Sequence, residues 1–134
     1  MKKLMTILLV VLAVGSYAQR QKTVKMVDAW AYGSVDTSWV IPISSDYTWS
    51  LQVNWTGQTD TLDAVLKVQH SNDGVNYSDY FYTAMIDTMN TAAGSVIFED
   101  DYSSTRYLRL YFEKQHVDAG TLNSWLILRN KINQ

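Results

Sequence analysis

Along residues 47–55, "YTWSLQVNW", apolar and polar side chains alternate without a break. Tyr47, Trp49, Leu51, Val53 and Trp55 fall on one side, and Thr48, Ser50, Gln52 and Asn54 on the other. Successive side chains of an extended chain point to opposite faces, so this period of two predicts a strand with one buried face. "TGQTD" supplies turn residues, and "TLDAVLKVQ" repeats the pattern with Leu62, Ala64, Leu66 and Val68 inward. Further strands are predicted at "YFYTAMI", "SVIF", "RYLRLYFE" and "TLNSWLILRN", and upstream at "TVKMVDAWAY" and "SWVIPI". Pro42 has no N–H to give to a ladder, so the "SWVIPI" strand is an edge or stops there. About eight short strands with turn residues between them, and no helical period after the N-terminal segment, predict an all-β chain. The expected architecture is an antiparallel β-sandwich or jelly roll.

Two strands add detail. "WLIL", Trp125 to Leu128, is apolar on both faces, so its outer face is covered by the monomer's own chain or by another subunit. The register of this strand, and with it the face that Trp125 joins, is open at the level of sequence. On "RYLRLYF", Leu108, Leu110 and Phe112 share one face while Tyr107, Arg109 and Tyr111 share the other. If the leucine face is core, an aromatic–Arg–aromatic row lies on the outside of the sheet. Such a row suits a sugar ring or a partner protein; equally, Arg109 can stack over the tyrosines as cross-strand packing. Tyr107, Arg109, Tyr111 and Trp125 are therefore the candidate ligand or partner surface.

The first residues change the picture of where the chain works. "MKKLMTILLVVLAVGSYAQ" has a cationic start at Lys2 and Lys3, an apolar stretch from Leu4 to Gly15, and small residues at Ser16 and Ala18. As a helix that stretch rises about 18 Å, short of the roughly 30 Å hydrocarbon core of a membrane. Residues 1–18 are expected to be a cleaved signal peptide, leaving 19–134 as one β-sandwich domain that is secreted, periplasmic or on the cell surface. Cleavage removes two of the eleven Lys and Arg and none of the thirteen Asp and Glu, so the mature net charge is −4. That acidity argues against nucleic acid and leaves no polybasic patch for a membrane after cleavage. The absence of cysteine excludes disulfides, thiolate metal sites and thiol catalysis.

Catalytic chemistry finds little footing. His70 and His116 are far apart, and neither an HExxH motif nor a G-x-S-x-G elbow is present. The chain is expected not to be an enzyme. Acidic residues gather at Glu99, Asp100 and Asp101 and at Asp60, Asp63, Asp73 and Asp79, as hard oxygen ligands for calcium or as solvated turn acids. No cofactor is expected beyond that structural calcium. "HSNDGVNYSDY", residues 70–80, lacks the EF-hand frame and reads as a hairpin turn. Asn72-Asp73-Gly74 supplies residues that tolerate left-handed backbone, and Asn76 and Ser78 stand ready to bond free backbone groups.

The stretches "LKVQHSNDGVNYSDY" and "STRYLRLYF" together resemble the discoidin-like, galactose-binding-like sandwiches. "YTWSLQVNWTG", "LKVQHSNDGVNY", "RYLRLYF" and "GTLNSWL" are also similar to small β-sandwich head-decoration or fibre proteins of tailed phages. The likeness spans roughly residues 47–128. Discoidin-like domains carry a terminal cysteine pair and long loops, which this chain lacks, so no ligand residue is carried over. The expectation is a non-catalytic exported β-sandwich that acts by surface binding, to carbohydrate or to a protein surface, or by self-assembly as a homo-oligomer. The alternative is a phage virion structural protein with its N-terminal segment retained.

Overall fold

A computed structural model describes residues 21–31, 36–44, 47–59, 64–80, 86–89, 91–101, 104–114 and 119–130. They form β1 (Gln21–Ala31), β2 (Thr37–Pro42), β3 (Tyr47–Thr59), β4 (Ala64–Ser71), β5 (Ser78–Asp79), β6 (Ile86–Met89), β7 (Gly94–Asp100), β8 (Tyr107–Lys114) and β9 (Ala119–Asn130). The chain crosses back and forth between two antiparallel sheets. One has the order β1-β9-β3-β7; the other runs β2-β8-β4, with β5 and β6 both on the far edge of β4. The expected all-β sandwich is therefore what forms.

The alternation seen in the sequence becomes the core. Trp49, Leu51, Val53 and Trp55 of β3 and Phe98 of β7 are buried in the first sheet. Ala64, Leu66 and Val68 of β4 face them from the second, with Leu108, Leu110 and Phe112 of β8. Leu62 lies outside the described residues. Burying one such side chain is worth about 1.5–3 kcal/mol, so this inner layer is the main source of stability. Pro42 ends β2, and among the described strands β2 is an edge that pairs with β8 alone. Trp30 of β1 ties the layers together: its ring meets Trp39 at 5.0 Å and Phe112 at 5.2 Å, both edge-on.

Nine strands form among the described residues rather than about eight. The single strand expected at "YFYTAMI" is not described as such: Tyr80 is outside any strand, residues 81–85 are outside the described residues, and β5 and β6 flank them. The upstream strand also departs from a simple reading. Against β9 it pairs Lys25 with Trp125, Val27 with Ser124 and Trp30 with Leu122, so β1 inserts an extra residue twice. The first bulge lets the consecutive pair Met26 and Val27 both pack on the core. Ala29 sits in the second at φ 45°, with its N–H held by Asn123 Oδ1 at 2.8 Å.

The "WLIL" strand turns out to be central, with β1 on one side and β3 on the other. Leu126 and Leu128 enter the core. Trp125 and Ile127 take the outer face and stay half-buried.

Candidate binding surface

The stretch "HSNDGVNYSDY" organises one end of the sandwich. β4 and β5 pair Gln69 with Asp79 and His70 with Ser78, so the reversal runs through residues 71–77. Ser71 Oγ accepts the N–H groups of Asp73 (3.2 Å) and Gly74 (2.9 Å) and donates to Asp73 Oδ1 at 2.8 Å. Asp73 Oδ1 accepts from the backbone of Val75 and Asn76, each at 2.8 Å. These bonds, led by that from Val75, pull the Asp73 carboxyl well below its ordinary 3.8. Among the described residues the side chains that bond the turn's backbone are thus Ser71 and Asp73 rather than Asn76 and Ser78. A carboxylate can accept several N–H bonds at once, whereas the Asn76 amide is spent donating to Asp73 Oδ2 at 2.8 Å. Gly74 has φ +75°, and a Cβ there would lie 3.2 Å from the Tyr107 ring. Thr105 closes the joint by donating to the Ser71 carbonyl at 2.8 Å.

That loop seats the row predicted on β8. Tyr107, Arg109 and Tyr111 do lie on the outer face, because Leu108, Leu110 and Phe112 are core. The polar groups of Arg109 and Tyr111 are already engaged. Tyr107 lies under Gly74. The Arg109 guanidinium sits 4.0 Å from the Tyr77 ring centre and 5.8 Å from that of Tyr111, and its Nε donates to Gln69 Oε1 at 2.6 Å. Gln69 passes the chain on to Asp79 Oδ1 at 2.6 Å. The Tyr111 hydroxyl donates to Asp36 at 2.8 Å, and that bond raises the phenol above its ordinary 10.0. Beside it, Lys67 pairs with Glu113, whose hydrogen bond pushes the ammonium up from 10.5. Tyr77, Gln69, Asp79 and Asp36 are the members that sequence alone did not find. They come from distant strands and loops, and only sheet order assembles them.

Trp125 is not part of that row; it lies on the outer face of the opposite sheet. Register places Lys25, Trp125, Gln52 and Ile97 side by side across β1, β9, β3 and β7. Thr23, Ile127, Ser50 and Glu99 form the next row, and Asn123, Asn54 and Ser95 another. The Lys25 ammonium stands 5.8 Å from the Trp125 ring centre while also pairing with Asp28. Asn54 Oδ1 accepts from Ser95 Oγ at 2.8 Å and from Gln52 Nε2 at 3.1 Å. The amide positions were legible in the alternation of β3; their meeting with Trp125 was not.

Other candidates separate. His70 packs at 4.5 Å against Tyr80, which in turn meets Trp49 edge-on at 5.7 Å. His116, Asp60 and Asp63 lie outside the described residues. Among the described residues no group of three or more His, Cys, Asp or Glu is placed to hold a metal ion.

No family model and no curated protein matches this chain. Solved structures do. The VP2 subviral particle of infectious bursal disease virus aligns with a TM-score of 0.51 at 11% identity, over 85% of this chain and 33% of that one. The T13 particle of the same virus gives a TM-score of 0.56 at 9% identity, over 84% and 31%. A CBM4 carbohydrate-binding module aligns with a TM-score of 0.42 at 13% identity, over 88% and 83%. The chain spans about a third of the length of the viral proteins. At these identities the likeness to the viral proteins is one of fold, the two-sheet sandwich.

Proposed function

We propose that the chain is a non-catalytic, exported β-sandwich that binds carbohydrate through the outer face of its β1-β9-β3-β7 sheet. The observation that carries this reading is the Trp125 indole, half-buried on the outer sheet face and bordered by Lys25, Gln52, Asn54 and Asn123. A flat aromatic face takes the C–H side of a sugar ring, and neighbouring amides bond its hydroxyls. A protein-binding core would instead concentrate apolar anchors and shed polar side chains. The Tyr107, Arg109 and Tyr111 row supports the reading less well, because the Tyr107 ring lies against the Gly74 turn, the Arg109 guanidinium is stacked on the Tyr77 ring and the Tyr111 hydroxyl is held by Asp36.

The test is affinity electrophoresis against a panel of soluble polysaccharides. Trp125→Ala is expected to abolish retardation while leaving the melting temperature nearly unchanged, and Tyr111→Ala to retain it. Loss of binding in Tyr111→Ala with Trp125→Ala unaffected would move the site to the other sheet and overturn the assignment. Export rests on the Lys2-Lys3, Leu4–Gly15 and Ser16–Ala18 pattern, and mass spectrometry of the native N-terminus checks it.

A second reading is a phage-type virion structural protein, a head decoration or fibre component that retains residues 1–18. The sandwich fold shared with VP2 is compatible with it. An intact N-terminus would favour this reading over export. The discoidin-like resemblance is kept as a proposal of kinship: its two motif stretches lie side by side, with Ser71 opposite Tyr107 in the β4–β8 ladder.

A further inference from the structure

Each sheet of an open sandwich ends in strands whose outward N–H and C=O groups lack a partner, and proteins protect such edges with bulges, prolines, lysines or short lengths. Three edges here are protected. β1 carries two bulges together with Lys22 and Lys25. β2 is six residues long and ends in Pro42, and any antiparallel self-pairing about its middle would draw Pro42 into the ladder. The far edge of β4 is divided between the two-residue β5 and the four-residue β6. β7 is different. Its seven residues, Gly94–Asp100, run in unbroken register along β3 with no bulge, proline or lysine, and no described strand pairs with its other side. At its centre Ile97 is 59% exposed.

We infer that β7 pairs edge to edge with β7 of a second copy, in antiparallel register centred on Ile97, to make a closed dimer with a continuous eight-stranded sheet. Residues directly opposite in an antiparallel pair share a face, so outward Ile97 must meet an outward residue. Centring on Ile97 sets the two isoleucines together. It also places every acid of the segment against an uncharged residue: Glu99 opposite Ser95, Asp100 opposite Gly94, and Asp101 opposite Ala93. Moving the centre one residue either way loses the Ile97 pair. The edge is thus complementary to itself in one register, and because each copy has one such edge the contact closes at two.

This inference extends the binding reading to self-assembly but does not use Trp125, so the two fail separately. Sedimentation velocity of the purified protein from micromolar to near-millimolar concentration tests it. The wild type is expected to pass from monomer to dimer. Ile97→Lys sets two ammonium groups face to face and is expected to weaken the dimer at least tenfold, with an unchanged melting temperature because the side chain is outside the core. Ser95→Lys, opposite Glu99, is expected to tighten it about fivefold. A wild type that stays monomeric throughout, forms larger polymers, or dimerises as tightly with Ile97→Lys overturns the proposal. So does a dimer lost in Trp125→Ala, since that would place the contact on the sheet face.

Discussion

At the scale of single residues, the loop after β4 shows how a polar cluster is spent. Asp73 offers carboxylate oxygens that would suit a cation, yet they accept from Val75, Asn76 and Ser71. Holding the ionised form is part of the fold. Its folded-state pKa is lowered from 3.8, so the stabilisation is present above that value and is lost as pH falls below it. Asp73→Asn is expected to flatten this acid limb. Urea midpoints compared at about pH 5 and about pH 3 would show a smaller drop than in the wild type, and an equal drop would refute the role. Ser71 is 4% exposed and accepts two backbone N–H groups. Ser71→Ala leaves both without an acceptor, at a cost of about 1–2 kcal/mol measurable in the same titrations. The sequence stretch announced a turn correctly; which atoms hold it depended on where Tyr107 and Thr105 arrive from the far side of the chain.

Among the elements, legibility follows how local the cause is. β3, β4 and β8 were readable because each has one face in the core and strict alternation marks it. The division of outer faces was not. Trp125 and the Tyr107–Arg109–Tyr111 row sit on different sheets because β9 joins β1 and β3 while β8 joins β2 and β4. That sheet order is a long-range choice, and no single strand carries it. β1 was readable as a strand at "TVKMVDAWAY" but its bulges were not, since two inserted residues shift its register and no local pattern marks a bulge. Ala29 is the cost of that geometry. At φ 45° its Cβ crowds the backbone by about 1–2 kcal/mol relative to ordinary strand conformation. Glycine removes the crowding but adds freedom to the unfolded chain, which returns about 0.5–1 kcal/mol. Ala29→Gly is therefore expected to raise stability slightly, by about 0.5 kcal/mol, with no change in the β1–β9 register. A lowered urea midpoint would mean that the bulge gains something from the alanine methyl.

For the molecule as a whole, the same topology sets how it forms. The first described strand pairs with the last, β3 pairs with β7 and β9, and β4 pairs with β8, so nearly every ladder joins segments distant in sequence. The tightest links between neighbours in the chain are the β4–β5 and β4–β6 pairings, and these involve only two and four residue pairs. Loop closure must be paid before such distant contacts return any free energy, and sandwiches of this kind fold on the scale of milliseconds to seconds. Stopped-flow dilution from urea, followed through the buried Trp49 and Trp55, is expected to show its main refolding phase in that range; a microsecond phase carrying most of the amplitude would contradict it. Slow closure also leaves strands unpaired for longer, and β7 is the one whose edge stays undefended in the finished fold. If Ile97 mediates pairing, refolding at high concentration should give more aggregate in the wild type than in Ile97→Lys at equal stability, which light scattering during refolding would report. Equal aggregation in the two would assign the liability to another strand.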